Sequence, residues 1–223
     1  MSAAALALFA LYLLVAFGLR TWLQVRATGD SGFRGISGRT WSPEWWAGVL
    51  FVLALVAGLM GPVSALFGLQ PVNSLDDATV AWAGVIVTVG GVGLTFATQT
   101  AMGSSWRIGV AEDEATALVT SGPFGLVRNP IFTAMALTGG GLVLMVPNLV
   151  ALLGLVTLVV ALELQVRVVE EPYLRRLHGA EYERYAASVG RFLPRLRALR
   201  DVVRGTALSP RRVPPPKRST LER

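Results

Sequence analysis

The 223-residue chain contains no cysteine and only one histidine, His178. Without cysteine there can be no disulfide, thiolate zinc site, iron–sulfur cluster or cysteine nucleophile, and a single histidine argues against a histidine-based metal site. Charged side chains are also scarce, at 15% of the residues against about 25% in soluble domains, while 53% are hydrophobic. This balance excludes an ordinary soluble domain and a disordered chain. It predicts an all-α membrane protein with several spans and no metal.

The apolar residues are concentrated in five runs, which predict five transmembrane helices. The first run lacks the basic residues that open a signal peptide, so we interpret it as a retained span. The last two runs are separated by Pro147 and Asn148, a turn signal that predicts a helical hairpin. Each arm is only about 21–24 Å long at 1.5 Å per residue, so the second is expected to continue as a helix past Glu163. The runs are residues 3–19, 45–69, 78–102, 131–146 and 149–162.

The third run also carries a pattern of small residues. Gly93, Ala97 and Ala101 recur every four residues. Small side chains at that spacing let a neighbouring helix approach closely, so we expect another span to pack against this face.

The basic residues set the orientation of these spans. All 20 lysines and arginines fall in residues 20–44, 103–130 and 163–223. An excess of basic residues marks the cytoplasmic side of a membrane, so the N-terminus is expected outside and the C-terminus in the cytoplasm, as in a bacterial inner membrane. The same distribution explains the net charge of +6 without a nucleic-acid partner.

The chain divides into three parts. Residues 1–102 hold the first three spans, residues 103–204 hold the polar loops and the hairpin, and residues 205–223 form a tail with three consecutive prolines and five basic residues. That composition predicts disorder. Two interpretations of the tail stay open, attraction to anionic lipid and plain solvation.

Polar residues cluster in two cytoplasmic stretches, 103–132 and 163–194. In the first, Asn129 precedes Pro130, an arrangement typical of a helix N-cap followed by the first helical residue. By spacing alone, the pair can also be read as the capped start of the fourth span, with no functional role. In the second, Glu163 and Arg167 are four residues apart and predict an ion pair on one helix face.

Two adjacent carboxylates, Glu170 and Glu171, follow that pair near the end of the fifth run. Carboxylates at the end of a membrane helix need water, a cation or a ligand, so they mark either a site or the place where the helix enters water. After them, His178 is expected at a helix end, and apolar residues recur at spacings of three to five. This pattern predicts an amphipathic helix lying against the spans. These residues are Leu177, Tyr182, Tyr185, Val189 and Phe192.

Together the two stretches resemble the isoprenylcysteine carboxyl methyltransferase family, which includes phospholipid methyltransferase relatives. The first family motif is a Leu-Val pair, a glycine turn with an aromatic residue, and an Arg-x-Pro-x-aromatic helix start. Here it reads Leu118-Val119, Gly122-Pro123-Phe124 and Arg128-Asn129-Pro130-Ile131-Phe132. The second motif is a Glu-Glu pair, a helix with two tyrosines and a closing Arg-aromatic-aliphatic-Pro. Here it reads Glu170-Glu171, Tyr182 and Tyr185, and Arg191-Phe192-Leu193-Pro194.

The resemblance implies an integral membrane methyltransferase that uses S-adenosylmethionine and acts by in-line methyl transfer. A lipophilic acceptor would enter from the bilayer: an isoprenylcysteine-like carboxylate, a small hydrophobic acid or thiol, or a lipid. Glu170 and Arg128 are the implied catalytic candidates; Glu170 would hold a polar group of the cofactor, and Arg128 would orient the acceptor or satisfy loop carbonyls. The residues implied at the cofactor are Thr116, Ala117, Leu118, Val119, Phe124, Asn129, Pro130, Ile131, Phe132, Glu170 and Glu171.

Three of these positions depart from the family pattern. Asn129 stands where the family has His, and Phe124 and Phe132 stand where it has Tyr. An amide keeps a donor and an acceptor but does not titrate, and each Phe lacks a hydroxyl. We therefore expect cofactor binding to be retained, with a substrate that differs from those of the eukaryotic enzymes. The position of a substrate-contacting Arg in the family is Val166 here, and the adjacent Arg167 points about 100° away on a helix.

Two other functions stay open at this point. A membrane reductase with a related C-terminal helical arrangement would use NADPH and should carry more basic and polar residues for its 2′-phosphate. An inactive scaffold or a transport protein would keep the fold without this activity. A transporter is expected to carry polar residues along several spans, and here they are scarce apart from Thr95, Thr98 and Gln99.

Overall fold

The computed structural model describes residues 1–72, 75–103, 106 and 117–195. Within these residues the regular structure is helical, as predicted, apart from isolated bridge residues that include the parallel pair Val127 and Gly190. Thr116 and the tail 205–223 lie outside the described residues. The helices are α1 (Ser2–Thr28), α2 (Pro43–Leu66), α3 (Ala78–Ala101), α4 (Pro130–Met145), α5 (Leu149–His178) and α6 (Ala180–Ser188), with a short 3-10 turn at Gly122–Gly125.

Four of these helices, α1, α2, α3 and α5, are long and apolar enough to cross a membrane. The fifth apolar helix, α4, has 16 residues. That is about 24 Å of helix, which is less than the hydrocarbon core of about 30 Å. The described residues thus contain four candidate spans where the sequence predicted five. The second hairpin arm does continue past Glu163, because α5 runs to His178.

The hairpin between α4 and α5 is anchored at its tip by Asn148, which is buried. The Asn148 Oδ1 accepts a hydrogen bond from the Ala151 backbone N–H at 2.9 Å and so caps α5, while Nδ2 donates to the Gly61 carbonyl of α2 at 2.8 Å. The Val72 N–H donates to the Pro147 carbonyl at 2.7 Å. These bonds hold the tip against the preceding helices. Along its length α4 packs on α3, and α5 packs on α2.

The close-packing face of α3 is not the one that the sequence predicted. Gly93, Ala97 and Ala101 are exposed, and a Cβ added to Gly93 would meet nothing within 4 Å. The contact with α4 is made on the face of Gly84, where an added Cβ would lie 2.7 Å from the carbonyl oxygen of Gly141. The prediction was wrong because α3 has small residues on more than one face, so spacing alone does not select the packed one.

Candidate functional site

A cavity of about 520 Å³ lies between the N-terminal helices and the two polar stretches. Its volume is in the range of small-molecule sites, which run from about 300 to 1,000 Å³. The wall is largely apolar, with a few polar side chains. All of the predicted site residues that the structure describes line it, and the motifs are therefore brought together. They are Ala117, Leu118, Val119, Phe124, Arg128, Asn129, Pro130, Ile131, Phe132, Glu170 and Glu171.

The loop before α4 is held by backbone hydrogen bonds to the segment after α6. The Arg128 N–H donates to the Gly190 carbonyl at 2.7 Å, and the Asn129 N–H donates to the Arg191 carbonyl at 3.0 Å. Asn129 occupies the N-cap position before Pro130, as predicted, but its side chain makes no cap bond. Its Nδ2 instead donates to the Arg191 carbonyl at 3.2 Å. The asparagine thus helps to join the two motifs.

The second carboxylate of the glutamate pair, Glu171, is a buried hub for arginines. Its Oε1 accepts from Arg128 Nη2 at 2.8 Å and from Arg191 Nε at 2.7 Å, and its Oε2 accepts from Arg191 Nη2 at 3.0 Å. Arg175 lies farther away, at 3.7 Å. The hydrogen bond to Glu171 raises the pKa of Arg191 above its ordinary value. Both oxygens of Glu171 are therefore engaged inside the protein.

Arg128 completes this network. While Nη2 pairs with Glu171, Nη1 donates to the Ala186 carbonyl of α6 at 2.8 Å. Both terminal nitrogens of Arg128 thus have protein partners, whereas its Nε is buried without a hydrogen-bond partner among the described residues. The arginine ties the loop before α4 to α5 and α6 at once.

Glu170 has a different environment from its neighbour. It lies in a π-helical turn of α5 that begins at Gln165, and within the described residues the nearby arginines pair with Glu171 or Glu163 and not with Glu170. Gln165 and Glu170 both line the cavity. A second π-helical turn, Leu14–Leu19 of α1, brings Phe17 to the same cavity. Such turns widen the helix locally and occur often at functional sites.

The two tyrosines of α6 close one side of the cavity. The Tyr185 hydroxyl donates to the Phe124 carbonyl at 2.7 Å, and the Tyr182 and Tyr185 rings meet edge to face at 6.2 Å. Burial, with a smaller contribution from Tyr182, raises the pKa of Tyr185, so its hydroxyl stays protonated at neutral pH and remains a donor. The turn that carries Phe124 is thereby fixed from α6.

Sequence reasoning missed the part of the cavity wall that the N-terminal half supplies. The loop between α1 and α2 covers one side, where Ile36 packs so closely on Gly48 that a Cβ at Gly48 would lie 2.6 Å from its Cγ2 atom. Glycines at every third position of that loop have positive φ angles, a turn signal that could have indicated an ordered structure. The missed residues include Phe17, Phe33, Ile36, Phe51, Val52, Leu55, Gln99, Met102 and Trp106.

Arg20 fixes Trp106 at this wall. Its guanidinium lies 4.6 Å from the centre of the Trp106 ring, and its Nη2 donates to the Gly103 carbonyl at 2.6 Å. Both side chains are buried. A cation over an indole face in a desolvated place is a stabilising contact, so Arg20 of α1 positions a residue of the cavity.

Comparison with known proteins gives one family match. The model described as phospholipid methyltransferase matches residues 79–181, which include all but the first residue of α3, the hairpin and the glutamate pair. This confirms the resemblance inferred from the two motifs, and it indicates a membrane methyltransferase. No curated protein and no solved structure matches the chain. Among the described residues no group of histidine, aspartate and glutamate could hold a metal ion.

Proposed function

We propose, from the phospholipid methyltransferase match over residues 79–181, that this protein transfers a methyl group from S-adenosylmethionine to a lipophilic acceptor. One observation carries the proposal: residues from both motifs line one largely apolar cavity, with Glu170 and Asn129 on its wall. A shared cavity is what a reaction between a polar cofactor and an apolar acceptor requires. The family match favours neither the reductase nor the inactive scaffold considered above.

The lining residues fit the cofactor. Ala117, Leu118 and Val119 line the cavity as a loop, and the amide groups of this loop would bind polar groups of the cofactor. Glu170 would accept from hydroxyl or amino groups of the cofactor, and Phe124 offers an aromatic face. Glu171 and Arg128 would support the cofactor site indirectly, because they hold the loop before α4 and the C-terminal segment together.

When bound, S-adenosylmethionine supplies a methyl group on a sulfonium, from which a neutral thioether, S-adenosylhomocysteine, leaves as the methyl is transferred. The protein's own contribution is then to hold both reactants in line, which is worth about 7–11 kcal/mol in well-oriented reactions. A carboxylate or thiolate acceptor would require no general base. The apolar lining from α1 and α2 would exclude water and receive the acceptor's apolar part, whether that acceptor is a hydrophobic acid, a thiol, an isoprenylcysteine-like molecule or a lipid.

The proposed topology has five passes, with α4 as a short fifth span beside the four longer helices. The basic residues favour an N-terminus outside and a C-terminus in the cytoplasm of a bacterial inner membrane. In this orientation α6 lies at the cytoplasmic surface, with Tyr182 and Ala186 buried against the bundle. The cofactor then reaches its site from the cytoplasm and the acceptor from the bilayer.

The direct test is calorimetric titration of S-adenosylhomocysteine into the purified protein and into a Glu170→Ala variant. Losing a charge-assisted hydrogen bond should weaken binding about 10- to 100-fold. Glu163→Ala is the matched control, because Glu163 lies on the same helix and pairs with Arg167 rather than lining the cavity. Equal affinity in native protein and Glu170→Ala would remove Glu170 from the site. Binding of NADPH without S-adenosylhomocysteine would contradict the proposed function.

A further inference from the structure

Three polar side chains are buried near one end of α3, at Thr95, Thr98 and Gln99. The two threonines are satisfied by their own helix. Thr95 Oγ1 donates to the Gly91 carbonyl at 2.9 Å, and Thr98 Oγ1 donates to the Leu94 carbonyl at 2.8 Å. Gln99 differs from both because its side chain reaches another helix and lines the cavity.

The orientation of the Gln99 amide is fixed by a contact with α1. Its Nε2 donates to the Ala16 carbonyl at 3.0 Å, in the π-helical turn Leu14–Leu19. Reversing the amide would set its oxygen against the carbonyl oxygen of Ala16, so this assignment follows from the hydrogen bond. The Oε1 is therefore the atom left over, and it is buried without a hydrogen-bond partner among the described residues.

A buried acceptor without a donor destabilises a protein, and such groups in native structures call for an explanation. Gln99 is 1% exposed, and the cavity residues contributed by the neighbouring helices include Phe17, Phe51 and Leu55, which offer no donor. A ligand in the cavity would supply the donor that these side chains lack. Its partner atom has to carry a hydrogen, because the glutamine presents an oxygen.

We propose that Gln99 determines acceptor specificity: its Oε1 accepts a hydrogen bond from a hydroxyl or N–H group on the apolar molecule that enters this cavity. The inference rests on the proposed function, and it narrows the acceptor to a lipophilic molecule that carries a hydrogen-bond donor. A carboxylate at this place would set two acceptors against each other. Gln99 is a binding residue in this assignment and takes no part in the methyl transfer.

Matched pairs of probes test this on the native protein alone. Purified protein in lauryldimethylamine oxide, a detergent without donor groups, is titrated with 1-dodecanol against 1-methoxydodecane, and with N-methyldodecanamide against N,N-dimethyldodecanamide. Apparent affinities come from the concentration dependence of Tm. One neutral hydrogen bond predicts that a donor probe binds about tenfold more tightly than its methylated partner. The two pairs tell a hydroxyl from an N–H donor, and equal affinities within both pairs overturn the proposal.

A variant locates the effect. Gln99→Met keeps the length of the side chain without the amide oxygen. In this variant the donor probe and its methylated partner should bind with about equal affinity. Thr98→Val is the matched control, because Thr98 is a buried polar neighbour bonded within its own helix, and it should keep the preference. An undiminished preference in Gln99→Met, or in Gln99→Leu if the first variant does not fold, overturns the assignment.

The selectivity is measured without S-adenosylmethionine, which separates it from the proposed function. Failure of S-adenosylhomocysteine to bind, with the donor preference intact, would remove the methyltransferase proposal and leave Gln99 as a ligand contact. Loss of the donor preference, with S-adenosylhomocysteine still bound, would remove only the specificity assignment.

Discussion

Replacing Glu171 with alanine should loosen the joint between the loop before α4 and the C-terminal segment. Glu171 holds Arg128 and Arg191 through three hydrogen bonds of 2.7–3.0 Å. The Glu171 side chain is 5% exposed and that of Arg128 is 10% exposed, so water cannot fully replace the lost carboxylate. The variant leaves two guanidinium groups with a missing partner in a poorly solvated place.

The expected size follows from this burial. Breaking a buried ion pair from one side destabilises a protein by about 3–5 kcal/mol, because the remaining charge is left uncompensated. For a chain of this size, about 1 kcal/mol shifts Tm by about 2–4 °C, so Glu171→Ala should lower Tm by about 6–20 °C. Arg175 is 46% exposed and lies 3.7 Å from Glu171. Removing it should change stability by only about 0–1 kcal/mol.

The measurement is thermal unfolding in detergent, with the native protein, Glu171→Ala and Arg175→Ala compared at one pH and salt concentration. A fall in Tm that is no larger for Glu171→Ala than for Arg175→Ala would contradict the claim that Glu171 stabilises the protein through its arginine contacts. Glu171→Gln provides a second reading, since it keeps an acceptor oxygen without the charge and should lie between native protein and Glu171→Ala.

Two further changes are informative. Gly84→Ala should destabilise the protein by about 1–3 kcal/mol through overpacking, because the new Cβ meets Gly141. Gly93→Ala has open space around it and should be neutral or stabilising. Similar unfolding curves for the two variants would contradict the observed packing. Tyr185→Phe removes the bond to the Phe124 carbonyl and should cost about 1 kcal/mol. An unchanged Tm for Tyr185→Phe would show that the phenol does not fix this turn.

The sequence predicts the helical hairpin well, since its signals are local. Pro147 and Asn148 interrupt an apolar region, and the second arm has no proline before Pro172. Pro172 follows the π-helical turn but does not end the second arm. The helix α5 continues past it to His178. Periodicity does not specify the change of helix type at Gln165–Glu170.

The contacts around the glutamate pair could be predicted only in part. The motifs single out Glu170 and Glu171 together, yet nothing in their order tells which one meets arginines. That division depends on the direction in which each side chain leaves α5 and on the position of Arg191, twenty residues later. The wall from the N-terminal half is harder still, because Gln99 and Trp106 reach the cavity through contacts with Ala16 and Arg20 that join distant parts of the chain.

The arrangement of the hairpin bears on how the chain is made. Each arm packs on a helix synthesised before it, α4 on α3 and α5 on α2. The tip residue Asn148 donates a hydrogen bond to the Gly61 carbonyl of α2. A growing chain therefore delivers the hairpin to a bilayer where its docking surfaces have already been inserted. A fragment that starts after residue 102 would lack those surfaces and leave the Asn148 Nδ2 without its acceptor in α2, so the half that carries both motifs depends on the other half for assembly.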